Sequence, residues 1–334
     1  MARVVVLPGD GIGPELAREA RLALEALAPD VELEEHVLGA AAIRATGTPF
    51  PDETRQACLG ATAVLKGPVG DPEFDAKDVR PEQGLLALRG ALDAYANLRP
   101  AVQGEVDLLI VRELVGGLYY GARGVREDGT VFDTCEYHPS QVERVVRRAF
   151  ALARTRRGYL LSVDKANVLD TSRLWRRVVD ALAPEFPDVR VEHMLVDNAA
   201  MQIATAAERF DVLVTENMFG DILSDLAAAV TGGLGLAPSA SLADSGPGIF
   251  EPVHGSAPDL AGRGIANPAA MLRSTALLLE HGLGRPDEAR ALAAAVDAGL
   301  ALAPTPDLGG TATTAELGEA IRGQLTVDAG SGRA

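Results

Sequence analysis

The chain has 334 residues, more than a typical domain of about 100 to 200 residues, so we expect two domains or two lobes that share a sheet. Its 31 Lys and Arg are outnumbered by 47 Asp and Glu, and the net charge of −16 argues against a surface for nucleic acid or anionic membrane. Small molecules are therefore the expected partners.

The cysteines and the apolar segments bear on location. Cys58 and Cys135 show neither CxxC spacing nor a disulfide framework, and the chain opens on the strand-like ARVVVLPG without a signal-like leader. The longest apolar run carries Arg273 and is too short to span a membrane. We expect a cytoplasmic protein with no membrane partner.

Strand-like and helical patterns alternate along the chain and predict an α/β fold. The predicted strands cover residues 4–7, 31–37, 61–66, 106–112, 159–163, 189–196 and 212–215. The predicted helices cover 14–27, 52–60, 85–96, 141–156, 171–182 and 199–207, followed by an acidic helix. A loop over 246–267 and two helical segments complete the chain, and the tail from Val327 has the composition of a frayed terminus.

The first motif is GDGIGPE, residues 9–15, directly after the first predicted strand. Its glycines follow G-x-G-x-G spacing, and Pro14 stands where a dinucleotide-binding fingerprint has its last glycine. The motif therefore does not predict an ordinary Rossmann GxGxxG site. A tight turn explains the glycines, although it does not explain Asp10 and Glu15 together.

Three arginines stand at or near the ends of predicted elements: Arg89, Arg99 and Arg112. Arginine suits bidentate recognition of carboxylates, so the three could hold a substrate with two carboxylates. Each arginine taken alone is more often a solvated surface residue. Arg112 favours the binding interpretation, because it follows the apolar strand VDLLIV at the kind of strand end where α/β sites lie.

Two further segments carry candidates for proton transfer. Lys165 and Asn167 follow an apolar strand in SVDKANVLD, and a lysine near other cations can act as a general base. A salt bridge to Asp164 or Asp170 explains Lys165 equally well. Tyr119 in GGLYYG could relay a proton, although core packing is the more frequent role of a tyrosine.

Three aspartates suggest a cation site. Asp221 and Asp225 lie four residues apart in TENMFGDILSD, so both project from one face of the acidic helix. With Asp197, at the end of the strand EHMLV, they could form an oxygen-rich site for Mg²⁺ or Mn²⁺. One acid at the helix N-terminus and one exposed acid is the simpler alternative.

These motifs, with VDNAAMQ and EPVHGSAPDLAGRGIANP, occur in the order found in the β-decarboxylating dehydrogenases of metal-dependent 2-hydroxy acids. Over nearly its whole length the chain resembles this isocitrate/isopropylmalate dehydrogenase family. The stretches PEQGLLALR and RELVGGLYYG are similar to the members that act on 3-isopropylmalate, since isocitrate and homoisocitrate enzymes have REN-EG in place of REL-GG. The resemblance implies NAD-dependent oxidative decarboxylation of (2R,3S)-3-isopropylmalate in leucine biosynthesis.

The resemblance also implies roles for individual residues. In the substrate site, the leucines would cup the isopropyl group and the arginines would hold the malate carboxylates: Glu82, Leu85, Leu86, Arg89, Arg99 and Arg112. Tyr119 would be the acid, and Lys165 of the partner subunit would be the base. Asp221 and Asp225 would bind Mg²⁺ or Mn²⁺ together with Asp197 of the partner subunit, in a homodimer with shared active sites.

For the dinucleotide, the resemblance implies contacts mainly from the loop after residue 250. The implied residues are Asn167, Glu251, His254, Gly255, Ser256, Ala257, Asp259 and Asn267. Asp259 would bind the adenosine ribose and repel a 2′-phosphate, which favours NAD over NADP. The implied fold has two domains, with residues 1–98 and 238–334 forming a discontinuous cofactor-binding domain and 99–237 carrying the dimer interface and the metal and substrate residues.

Two other functions are compatible with these motifs. One is a sister enzyme that acts on homoisocitrate, isocitrate, tartrate or another 3-alkylmalate. The short connection between Arg99 and Arg112 weakens the assignment of one alkylmalate. The other is a catalytically silent paralogue, which predicts loss of Tyr119, Lys165, Asp221 or Asp225, and all four are present.

Overall fold

The structure is a computed structural model that describes residues 1–331, with side chains described as far as residue 325. The strands are β1 (Arg3–Leu7), β2 (Glu32–Glu35), β3 (Ala63–Lys66), β4 (Ala96–Gln103), β5 (Val106–Glu113), β6 (Arg123–Val125), β7 (Val131–Asp133), β8 (Tyr159–Asp164), β9 (Arg190–Leu195), β10 (Val212–Thr215), β11 (Pro238–Leu242) and β12 (Gly248–Pro252). The helices are α1 (Gly13–Leu27), α2 (Ala40–Thr46), α3 (Asp52–Leu59), α4 (Pro81–Ala91), α5 (Pro139–Arg154), α6 (Asp170–Leu182), α7 (Val196–Ala206), α8 (Asn217–Val230), α9 (Ala269–Leu277), α10 (Pro286–Leu302) and α11 (Thr314–Ser331). The predicted α/β class is confirmed.

The chain divides into two compact units. Unit 1 combines Met1–Asp93 with Leu234–Ala334, and unit 2 is the continuous segment Ala94–Gly233. The sequence placed the second domain at 99–237, a few residues later at each end.

Unit 1 is built on strands in the order β2-β1-β3-β12-β11. β1 pairs in parallel with β2 and β3, β12 pairs in parallel with β3, and β11 is antiparallel to β12. The apolar residues of β1 and β3 are fully or almost fully buried, as expected for parallel strands whose two faces are both covered. Leu16 and Leu24 of α1 add to this core.

Unit 2 is built on strands in the order β4-β5-β10-β8-β9, with β6 and β7 as a separate antiparallel pair. β4 and β5 are antiparallel, and β5, β10, β8 and β9 are parallel. Its buried core joins these strands to α7 and α8 through Ile110, Leu161, Ile203, Leu213 and Leu223.

Several predicted boundaries are wrong. The helix expected over 85–96 is α4, which ends at Ala91; Asp93 has a φ of +44°, so the helix cannot continue, and the chain enters the unpredicted β4. The loop expected over 246–267 begins with the buried strand β12. The tail from Val327 belongs to α11 as far as Ser331, and residues 332–334 lie outside the described part of the chain.

Among the helices of the described residues, none is both long enough and apolar enough to cross a membrane.

Candidate active site

Polar residues follow three parallel strands of unit 2 at one edge of the sheet. Thr215 of β10 is in register with Arg112 of β5 and with Val163 of β8. Lys165 directly follows β8, and α8 begins two residues after β10. Because parallel strands end at a common edge, this arrangement places the polar and charged side chains where α/β proteins usually bind ligands.

Arg112 is almost completely buried, with 1% of its surface exposed. Its Nε and Nη2 donate to Oδ1 of Asn217 at 3.1 and 2.7 Å, and its Nη1 donates to Asp221. A desolvated guanidinium requires such partners, because burying an unpaired charge is costly. Arg112 is therefore not the solvated surface arginine that its residue type alone favours.

Arg99 is also buried and reaches the same helix from β4. Its Nε donates to Oδ1 of Asn97 at 2.7 Å, and its Nη1 donates to Oγ of Ser224 at 2.7 Å. Its guanidinium lies 3.4 Å from carboxylate oxygens of both Asp221 and Asp225. The two arginines thus converge on the two acids of α8.

The acids of α8 are more accessible than the arginines that hold them. The side chains of Asp221 and Asp225 are 35% and 53% exposed, so their oxygens can reach a ligand. The hydroxyl of Tyr119 donates to Oδ2 of Asp221 at 3.0 Å. Burial raises the pKa of Tyr119 and the neighbouring Asp221 raises it further, so the phenol keeps its proton at neutral pH.

A metal ion was predicted at these acids. Among the side chains that the structure describes, which reach as far as residue 325, no three His, Cys, Asp or Glu side chains lie close enough together to hold a metal ion. Asp221 and Asp225 present partly exposed carboxylate oxygens, the ligands that Mg²⁺ and Mn²⁺ prefer. These two carboxylates could supply oxygen ligands to a hard cation.

Lys165 forms an ion pair that the sequence did not predict. Its Nζ lies 2.5 Å from Oδ1 of Asp197, and this ammonium lowers the pKa of Asp197. The expected alternatives are wrong, because Asp164 accepts two hydrogen bonds from Arg176 and Asp170 pairs with Arg173. Lys165 and Asp197 therefore present an ammonium group and a carboxylate side by side.

In unit 1, one face of α4 carries the four predicted substrate residues of that helix. Glu82, Leu85, Leu86 and Arg89 follow the i, i+3, i+4 and i+7 spacing that aligns side chains on a helix face. Leu85 and Leu86 are half-buried and Glu82 is exposed. This face combines an apolar patch with a cation at its end.

Arg89 belongs to a buried cluster of charges. Its Nη2 donates to Oε1 of Glu251 at 3.0 Å, and Nζ of Lys66 lies 2.7 Å from the other oxygen of that carboxylate. Burial alone would raise the pKa of Glu251, but the two cations outweigh it and hold the pKa at about 2. Glu251 is therefore an anion that fixes Arg89.

In the GDGIGPE motif, the Asp10 carboxylate joins the start of α2 to the loop that contains Gly70, and this set of hydrogen bonds is called the Asp10 bracket. The Asp10 carboxylate accepts from the backbone nitrogens of Ala40, Ala41 and Gly70 at 2.9–3.0 Å. A Cβ at Gly11, where φ is +57°, would lie 1.9 Å from the carbonyl oxygen of Ser256. The tight-turn interpretation accounts for the glycines, and the bracket accounts for Asp10.

The predicted dinucleotide loop follows β12. Nδ1 of His254 donates to the Gly255 carbonyl at 2.9 Å, and burial lowers the pKa of His254, so the ring is neutral at pH 7. The Asn267 side chain accepts from the nitrogen of Ala269 and donates to Asp307, so both polar atoms of its amide have partners in this chain. The remaining predicted contacts differ in exposure: Ser256 is buried, Ala257 is half-buried, and Asn167, Gly255 and Asp259 are exposed.

Four residues of these clusters were not predicted from the sequence. Each has a polar side chain that contacts a predicted site residue or a residue bonded to one. They are Lys66, Tyr137, Asn217 and Ser224. A sequence signal existed for Lys66, a lysine at the end of a buried strand directly before a glycine.

Comparison with known proteins assigns the family. The family model described as isocitrate/isopropylmalate dehydrogenase matches residues 3–321, and the chain belongs to that family. The resemblance drawn from the motifs is confirmed. Among sequence relatives, 3-isopropylmalate dehydrogenase of Zymomonas mobilis is 48% identical and covers 97% of this chain and 99% of the relative, and that of Bacillus subtilis is 48% identical with 97% and 98% covered.

Solved structures give the same family. Isocitrate dehydrogenase from Methylococcus capsulatus superposes with a TM-score of 0.91 at 38% identity, covering 97% of this chain and 99% of that one. A β-decarboxylating dehydrogenase from Thermococcus kodakarensis superposes with a TM-score of 0.86 at 36% identity, covering 99% and 98%. The predicted isopropylmalate dehydrogenase-like fold, distinct from a Rossmann GxGxxG fold, is confirmed.

Proposed function

We propose that the protein catalyses the NAD-dependent oxidative decarboxylation of (2R,3S)-3-isopropylmalate to 4-methyl-2-oxopentanoate and CO₂, a step of leucine biosynthesis. The observation that carries this proposal is the convergence of Arg99, Arg112 and Tyr119 on Asp221 and Asp225. Identity of 48–51% to 3-isopropylmalate dehydrogenases over most of the chain supports the choice of substrate.

The proposed substrate residues match the chemistry of a branched malate. Arg89, Arg99 and Arg112 would bind its two carboxylates, since a guanidinium pairs with a carboxylate in a bidentate geometry. Leu85 and Leu86 would contact the isopropyl group. Such a contact discriminates alkyl groups by about 1–3 kcal/mol per methylene, which is enough for preference but not for strict exclusion.

Proton transfer would use one base and one acid. Lys165 of the partner subunit would take the proton of the C2 hydroxyl, and Tyr119 would return a proton to C3 after the bond to CO₂ breaks. Asp221 and Asp225, with Asp197 of the partner subunit, would hold Mg²⁺ or Mn²⁺. When bound, the cation supplies Lewis-acid polarisation of the substrate oxygens, and NAD supplies the hydride acceptor.

For the cofactor we propose NAD rather than NADP. Asp259 is exposed in the loop after β12, where its carboxylate would accept hydrogen bonds from a ribose diol and repel a 2′-phosphate. The neutral ring of His254 in the same loop suits an uncharged contact with the dinucleotide.

The experiment that tests the proposal is a substrate panel followed by NADH absorbance. 3-Isopropylmalate, isocitrate, homoisocitrate and tartrate are each supplied with Mg²⁺ or Mn²⁺ and with NAD or NADP. We expect the highest kcat/KM with 3-isopropylmalate and NAD. Higher kcat/KM with isocitrate or homoisocitrate would assign the sister activity, and no turnover of any substrate would assign a silent paralogue.

The control for this panel is Asp221→Asn. This change keeps the size of the side chain and removes the charge that faces Arg112, Arg99 and the proposed cation. We expect loss of turnover in a chain that keeps its circular dichroism spectrum. Near-normal Mg²⁺-dependent activity of this variant would contradict the metal assignment.

A further inference from the structure

Tyr137 lies between β7 and α5 and packs against the turn that leads to Tyr119. A Cβ at Gly116 or Gly117 would lie 2.8 or 2.4 Å from atoms of the Tyr137 side chain, and Gly117 has a φ of +69°. The ring of Trp175 meets the Tyr137 ring edge-on, with 6.0 Å between the centroids. The ring and the hydroxyl of Tyr137 therefore both lie against the glycine turn.

The Tyr137 hydroxyl joins two elements that carry proposed site residues. It donates to Oε2 of Glu113 at 3.0 Å and accepts from the backbone nitrogen of Asn217 at 3.0 Å. Glu113 is fully buried and also accepts from the nitrogens of Val115 and Gly116 at 2.9 and 3.0 Å. The hydroxyl thus links the turn after β5 to the first residue of α8.

Asn217 continues this link to the site. Its Nδ2 donates to the Gly116 carbonyl at 2.9 Å, and its Oδ1 accepts both hydrogen bonds from Arg112. The same α8 carries Asp221, which accepts from Tyr119. One run of hydrogen bonds therefore extends from Glu113 through Tyr137 and Asn217 to the guanidinium and phenol groups of the site.

We propose that Tyr137 is a positioning residue of the dehydrogenase reaction, whose hydroxyl holds Arg112 and the Tyr119 turn in register with Asp221. The inference rests on the proposed function. Tyr137 acts through its neighbours, because its hydroxyl donates a hydrogen bond to Glu113 and accepts one from the backbone nitrogen of Asn217. Its hydroxyl fixes the orientation of the residues that contact substrate and does not contact substrate itself.

The first test is Tyr137→Phe in the full chain, which removes the hydroxyl and keeps the ring. The nitrogen of Asn217 loses its acceptor, so Arg112 and Tyr119 lose their alignment with Asp221. We expect kcat/KM for 3-isopropylmalate to fall about tenfold or more, through both kcat and KM, while KM for NAD stays within about twofold.

Tyr159→Phe is the matched control. Its hydroxyl also donates to a glutamate in unit 2, Glu192, at 2.9 Å, but at the opposite end of β8 from Lys165. We expect a comparable loss of stability and unchanged kinetic constants. Equal kinetic constants in wild type and Tyr137→Phe, with both chains folded, would overturn the positioning role.

A double-mutant cycle then separates positioning from general destabilisation. Asn217→Ala removes the acceptor of Arg112, so adding Tyr137→Phe should cost little more if both act through one run of hydrogen bonds. Additive losses of kcat/KM would overturn the inference.

A crystal structure of Tyr137→Phe decides the question without relying on turnover. We expect Arg112 to leave Oδ1 of Asn217. An unchanged contact and an unmoved glycine turn would overturn the inference. This result does not depend on turnover, so it holds even if wild type turns over none of the panel substrates, an outcome that would separately refute the proposed function.

If Tyr137→Phe does not fold, Glu113→Gln tests the same link, because its amide would face the nitrogens of Val115 or Gly116. The control is then Glu192→Gln, whose kinetic constants should equal those of wild type.

Discussion

Arg112 shows how a fixed charge is kept in a nearly dry position. Its Nε and Nη2 both donate to Oδ1 of Asn217, and its Nη1 donates to Asp221. These hydrogen bonds fix the orientation of the side chain. An ammonium could not reproduce this geometry, because lysine carries a point charge on a flexible stem. The residue type at position 112 is therefore set by its buried partners as well as by any ligand.

Glu113 carries a pH-dependent part of the stability. Burial raises the pKa of Glu113 from 4.5 to about 7, against the opposing effects of Val115, Gly116, Tyr137 and Arg144. The neighbouring carboxylate Glu216, whose pKa burial also raises, lies 3.5 Å from the same Tyr137 hydroxyl. The folded state binds a proton at Glu113 more tightly than the unfolded state, so this contribution is complete below pH 4.5 and is lost as the pH rises through about 7.

We therefore predict that Glu113→Gln flattens the pH dependence of unfolding. Between pH 5 and pH 8, wild type should lose at most about 3 kcal/mol relative to the variant, from 1.36 kcal/mol per pKa unit. Urea unfolding of both chains at the two pH values measures the difference.

Glu185→Gln is the control for this prediction. Arg147 lowers the pKa of the exposed Glu185, so its contribution is complete above its ordinary pKa and does not change between pH 5 and pH 8. A constant free-energy difference between wild type and Glu113→Gln across this range would refute the assignment to Glu113.

At the scale of elements, the bracket formed by Asp10 gives a second prediction. Its carboxylate is the common acceptor for the first turn of α2 and for Gly70, and Oδ2 receives two of the three hydrogen bonds. In Asp10→Asn an amide group replaces one oxygen and faces a backbone donor. We expect a loss of about 1–3 kcal/mol in the free energy of unfolding, measured by urea denaturation.

Asp52→Asn provides the comparison for the bracket. Asp52 also lies in the first turn of a helix, α3, but it is exposed and acts mainly through the helix dipole. Its replacement should cost less than about 1 kcal/mol. Equal losses in the two variants would mean that Asp10 contributes no more than an ordinary helix-terminal acid.

The sequence predicted elements well where one periodic pattern decided the outcome. β5 and α6 differ from their predicted bounds by one residue, because a continuous apolar run and a strongly amphipathic run leave little ambiguity. β4 and β12 were missed, because the sequence predicted a helix over 85–96 and a loop over 246–267, and only the pairing with β5 and with β3 and β11 shows the strands. Pairing across the chain is not a local property.

The candidate site, like the helices and strands, was predictable only where the local sequence was informative. The acids Asp221 and Asp225 and the arginines stood out because residue type and position alone point to carboxylate and cation chemistry. Tyr137 and Asn217 did not, because a tyrosine before a helix and an asparagine at its start have many ordinary uses. Only the three-dimensional path from Glu113 to Arg112 distinguishes them.

At the scale of the whole molecule, the proposed homodimer makes a prediction about mixed subunits. Lys165 and Asp197 are paired within one chain, so they would enter the partner's site together. Hybrids of a Lys165→Ala chain with an Asp221→Asn chain should contain one intact site each. Co-expression with two affinity tags should recover up to about a quarter of wild-type activity, since half of the dimers are hybrids with one of two sites restored.

Mixing Lys165→Ala with Asp197→Asn should recover no activity, because each hybrid site then lacks one of the two residues. Recovery in this second mixture, or none in the first, would show that the sites are not shared as proposed.

The pairing of β12 with β3 also has a consequence for protein synthesis. Ala63 pairs with Gly248 and Leu65 with Phe250, so that edge of β3 stays open on the nascent chain until the whole of unit 2 has been translated. During this interval an apolar strand edge is available to other chains. Unit 2 is one continuous segment, whereas unit 1 is split and cannot be produced as a simple truncation. Unit 1 is therefore exposed to aggregation if translation stops early.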